Sequence, residues 1–72
     1  MVDDEKVKLG TRLGYWIEHN KEHAQEFSEW AKKVETRGER ETAEDMRAAA
    51  REMEGVNKCL SRALKRITEK EA

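Results

Sequence analysis

His19 and His23 stand four residues apart with Glu22 and Glu26 beside them, a spacing that places two imidazoles on one helical face, where they can share a metal ion. Zinc and nickel suit such donors. A chain that folds back on itself would bring Cys59 to a similar height, so His19, His23, Glu26 and Cys59 form the candidate metal set. The pattern is not a familiar catalytic one. Asn20, Lys21 and Glu22 fill the interval that a His-Glu-x-x-His zinc peptidase needs, and no Glu-x-x-His pair of the di-iron bundles occurs. The competing reading packs His23 between tryptophans and leaves His19 at the solvent edge.

Two charged features offer other chemistries. Lys58, Arg62, Lys65 and Arg66 cluster near the C-terminal end, and Lys6, Lys8 and Arg12 would join them at the open end of a hairpin. Such a patch can grip phosphate backbones, as in small helical-hairpin dimers that bind RNA. The absence of interleaved stacking aromatics and a pI near 6.1 argue against nucleic acid as the partner. Glu18, Glu22, Glu26 and Glu29 make an acidic ladder, which reads as a solvated face or as a docking strip for a basic partner. Cys59 has no His-Asp relay, and neither a glycine-rich phosphate loop nor a cleft-forming second layer is evident. The chain therefore reads as non-enzymatic, with no small-molecule substrate and no obligatory cofactor.

The elements that must hold these residues are helical. Proline is absent, and no run alternates apolar and polar with period two, so nothing reads as a strand. Charged residues reach 43% while the net charge is only −1, and the apolar residues keep helical spacing, which favours an ordered chain over a disordered one. Only eleven residues are Leu, Ile, Val or Phe. A core so small typically supplies about 3 to 5 kcal/mol, so further stabilisation is expected from elsewhere. Lone Cys59 cannot form an internal disulfide, and no apolar stretch suits a signal peptide or a membrane span, which predicts a cytoplasmic setting.

One domain over residues 1–72 is expected, all-α, as an antiparallel two-helix hairpin. Asp3 or Asp4 caps a first helix over about 4–35. Gly10 and Gly14 weaken its start by about 1 kcal/mol each relative to Ala, or admit a close neighbour. Residues 36–40 form the turn, with Gly38 suited to a left-handed conformation, and a second helix covers about 41–69. Each helix should be about 40 Å long at 1.5 Å per residue.

Leu9, Trp16, His23 and Trp30 recur every seven residues beside a seam of Leu13, Ile17, Ala24, Phe27, Ala31 and Val34. In the second helix Met46, Ala49, Met53, Val56, Leu60, Ala63 and Ile67 alternate steps of three and four, with Ala50 and Leu64 widening the stripe. Folding about Gly38 sets Phe27 and Trp30 against Met46, Ala49 and Ala50, and Trp16 near Leu60. Asn20 falls opposite Asn57, a polar pair suited to fixing register. The apolar arc of the first helix is wider than one partner helix can cover. A second interface formed by Trp16, His23, Phe27, Trp30, Val56, Leu60 and Ala63 is therefore expected, through which the chain dimerises into a four-helix bundle or docks on a larger protein. A metal carrier or sensor using His19 and His23 is the alternative reading, and an RNA-binding hairpin dimer the second alternative.

The run Tyr15-Trp16-Ile17-Glu18-His19-Asn20-Lys21-Glu22-His23-Ala24-Gln25-Glu26-Phe27-Ser28-Glu29-Trp30-Ala31 resembles a pattern in short archaeal and bacterial helical proteins of unassigned function. There a Trp-Ile-Glu-His-Asn block precedes Glu-His-Ala, an aromatic and Trp-Ala, followed by a second helix rich in alanine and glutamate. The resemblance implies a helical hairpin and carries no activity. Here the second helix is more basic and contains Gly55 and Cys59, in which it departs from that pattern.

Overall fold

Two long helices and one tight turn account for the described part of the chain. The computed structural model describes residues 3–69, in which α1 (Asp4–Glu35) and α2 (Arg40–Glu69) pack against each other. Asp3 has extended backbone, and its Oδ1 accepts from the Glu5 amide at 2.8 Å, satisfying an amide that the first helical turn leaves free. Asp4 and Glu5 add negative charge where the helix dipole favours it. The helix runs on through Gly10 and Gly14.

The turn is closed by backbone bonds that only a left-handed residue permits. Gly38 has φ +87°, its amide donates to Glu35 O, and the Glu39 amide reaches back to Val34 O, both at 3.0 Å. This is the paired bonding of a Schellman closure. Thr36 Oγ1 donates to Lys33 O at 2.7 Å, tying down one more carbonyl at the helix end. With the reversal completed by residue 39, α2 starts at Arg40, one residue earlier than the sequence suggests. A connection this short forces the helices antiparallel, giving a rod of 58 × 14 × 13 Å.

The helices meet along a seam with a seven-residue repeat. On α1, Leu13 and Ala31 are buried, Ile17, Asn20, Ala24 and Phe27 are half-buried between them, and Val34 is half-buried beyond Ala31. On α2 the matching row is Ala43, Met46, Ala50, Met53, Asn57, Leu60, Leu64 and Ile67. This row corrects the expected stripe. Ala49, Val56 and Ala63 are exposed, while Ala50 and Leu64, expected to widen the stripe, and Asn57, expected as the register partner, lie in the seam itself, joined by Ala43. Both rows share Met46, Met53, Leu60 and Ile67 and have the same three-four spacing. Periodicity alone could not separate them, and the polar Asn57 made the true row look the weaker.

The core is thin. Its fully enclosed apolar residues are Leu13, Ala31, Ala43 and Ala50, and among the described residues no large side chain is completely buried. Alanines on both helices let the backbones approach closely near the turn, with Ala31 and Ala43 wholly shielded from solvent. Phe27 and Leu60, expected at the second interface, lie half-buried and contribute to the seam itself.

Candidate functional site

At mid-height the seam is polar and fully satisfied. Asn20 Nδ2 donates to Asn57 Oδ1 at 3.0 Å, and Asn57 Nδ2 donates to Ile17 O at 3.0 Å. Asn57 is only 9% exposed, so the bonds replace those it would otherwise make to water. Sliding either helix by one turn would strand an amide in an apolar seam, at a cost of about 1 to 3 kcal/mol.

The two flanks of this seam differ sharply. On one, Glu35 and Arg47 form a forked ion pair, Nη2 to Oε1 at 2.8 Å and Nη1 to Oε2 at 3.3 Å. The hydrogen bonds and positive charge of Arg47 lower the Glu35 pKa from its ordinary value, and the same bonds raise that of Arg47. Farther along this flank Lys21, Ser28 and Glu54 line a shallow groove. Because residues seven apart share an edge, the opposite flank must carry Leu9, Trp16, His23 and Trp30 from α1 and Thr42, Ala49, Val56 and Ala63 from α2. There Leu9 is 41% exposed, Trp16 39%, Trp30 53% and Val56 46%. Lys33 Nζ lies 4.5 Å from the Trp30 ring centroid, covering part of the indole with a cation–π contact.

From Phe27 in the seam to exposed Tyr15, a ladder of rings four residues apart crosses the surface of α1. Tyr15 stacks on His19 at 5.5 Å between centroids, His19 meets His23 edge-on at 4.4 Å, and His23 stacks on Phe27 at 6.0 Å. The histidine Nε2 atoms are 3.0 Å apart, and His23 Nδ1 is 3.0 Å from Glu26 Oε1. In neutral His23 the carboxylate therefore holds the proton on Nδ1, leaving Nε2 to accept from His19. Tyr15 was not singled out in the sequence, although its four-residue offset from His19 was the available signal.

The four-residue metal set does not assemble within one chain. Among the described residues no three His, Cys, Asp or Glu side chains gather as a group able to hold an ion. Glu26 engages the nitrogen of His23 remote from His19, and Cys59 is exposed with Arg62 Nη2 3.2 Å from its sulfur. At the open end Val7, Gly10, Leu64 and Ile67 border a groove of about 350 Å³. Its Thr11 and Thr68 hydroxyls donate to Val7 O and Leu64 O on their own helices. The basic residues of that end are exposed, and Lys65 pairs loosely with Glu69 at 3.9 Å. No described helix is long and apolar enough to cross a membrane.

An antiparallel α-hairpin with one ion-paired flank and one apolar flank is thus the class of molecule this chain forms. The model of a domain of unknown function, DUF8180, matches residues 9–67, and the chain belongs to that family. The match takes in the turn, both asparagines and the aromatic ladder. No curated protein and no solved structure matches the chain.

Proposed function

We propose that this chain is a non-enzymatic interaction module whose apolar flank binds a second copy of itself, closing a four-helix bundle. The observation that carries the reading is the exposure of Leu9, Trp16, Trp30 and Val56 on one flank while the other is ion-paired and polar. Shape supports a second copy as the occupant. The largest groups of the flank, Leu9, Trp16 and Trp30, come from α1 and the smaller ones, Ala49, Val56 and Ala63, from α2, so the face has a ridge beside a trough. A twofold axis parallel to the helices lays the ridge of each copy over the trough of the other, with Trp30 above the partner's Ala49. Burial there would also supplement the thin core.

Sedimentation equilibrium tests the reading. A dimer is expected, weakened about 30-fold by Trp30→Ala, in line with about 2 kcal/mol for a buried aromatic anchor. A monomer at high micromolar concentration, with unchanged helicity, would overturn it.

A further inference from the structure

The two facing nitrogens of the ring ladder have a separation that selects among metal ions. We propose that His19 and His23 chelate a divalent transition ion that prefers right-angled coordination, nickel(II) or copper(II), through their Nε2 atoms, with Glu26 orienting His23 from behind. Both imidazoles are positioned before any ion arrives: Tyr15 stacks on one, Phe27 on the other, and Glu26 fixes the tautomer of His23. That carboxylate–imidazole bond is the outer-shell arrangement that metal-bound histidines use to orient the ring and raise its basicity. The proton on His19 Nε2 moves to its Nδ1 when the ion binds, so both facing nitrogens present lone pairs.

The angle follows from the spacing. Two metal–nitrogen bonds of about 2.0–2.1 Å that span 3.0 Å meet at about 90–97°. A tetrahedral ion would need the nitrogens about 3.4 Å apart at the same bond lengths. Near-right angles belong to tetragonal and octahedral ions, nickel(II) and copper(II) with nitrogen and oxygen donors, more than to tetrahedral zinc. Water fills the remaining positions, in keeping with the absence of a third protein donor among the described residues. In the single chain His23 is 40% exposed, so an ion reaches the pair from solvent there. All three groups lie on α1 of a single chain.

Titration calorimetry of the full chain, free of any histidine tag, with nickel chloride and zinc chloride tests the site, together with copper(II) electron paramagnetic resonance. One nickel per chain at micromolar affinity is expected. His19→Ala should weaken it at least tenfold, and Glu26→Ala should weaken it about tenfold through loss of the orienting bond. The copper spectrum should show hyperfine coupling to two nitrogens, lost in the His19→Ala, His23→Ala double variant. Undiminished binding in that double variant, or no binding at millimolar nickel, would overturn the site. Zinc bound more tightly than nickel would overturn the right-angle geometry.

Discussion

The two flanks of the hairpin are made from the same number of helical rows, yet one is closed by its own side chains and the other is not. On the first, Glu35 and Arg47 reach across the seam and neutralise each other, with Lys21, Ser28 and Glu54 following in polar succession. On the second, Trp16 and Trp30 share an edge with Ala49, Val56 and Ala63 and stay 39% and 53% exposed. Polar groups can end at water without penalty, whereas indoles half in solvent leave apolar area that a second surface could remove. On the proposed reading, that difference decides which flank a second copy would cover.

The sharpest way to break this asymmetry is to place the same charge on each flank. Ala49→Glu should abolish self-association, raising the dissociation constant at least 100-fold by light scattering, because a carboxylate would be buried under the partner's Trp30 without a counter-charge. Ser28→Glu on the polar flank should leave the molecular mass unchanged. Equal effects from the two would show that the flanks do not differ in function.

A smaller effect is expected at the seam between them. Asn20→Leu removes the donor to Asn57 Oδ1 and should cost about 1 to 3 kcal/mol in urea unfolding. Adding Asn57→Leu should recover much of that loss, since an all-apolar seam has no orphaned amide, while relaxing the register that the pair specifies. A double variant no more stable than the single one would remove the amide pair as the cause.

The smallest effect lies on the closed flank. The folded-state pKa of Glu35 is lowered below its unfolded value, so the stability it contributes is present above the unfolded pKa and is lost as pH falls through the folded one. Glu35→Gln should therefore flatten the acid side of the stability–pH curve, measured by thermal melts in low salt. The shift should be modest, because both partners are well exposed and screened by solvent. An acid slope identical in the variant would show that the fork contributes nothing in solution.

Much of this arrangement is legible in the residues. Asp3 and Gly38 announce the ends of α1, because capping and left-handed closure depend on local chemistry that no distant contact alters. The meeting of Asn20 with Asn57 follows from counting outward from the turn. The error on α2, which set Ala49, Val56 and Ala63 inward and omitted Ala43, has an equally plain cause: Ala43 sits in the first turn after the reversal, and an amide at Asn57 breaks the apolar repeat of its row. Ala49, Val56 and Ala63 supplied a cleaner apolar repeat on the neighbouring edge. A helix with three apolar rows presents two seams of identical period, and only its partner decides which is covered.

The histidines divide in the same way. Their four-residue spacing places both rings on one face in any helix, but the approach of the two Nε2 atoms and the capture of Nδ1 by Glu26 depend on rotamers set by Tyr15 and Phe27. By itself the sequence determined two helices, their turn and the height at which residues face each other, because these follow from backbone hydrogen bonding and chain counting. Only the tertiary structure decided which edge of α2 turns inward and which ring nitrogens converge, because those depend on how side chains of both helices share one narrow seam.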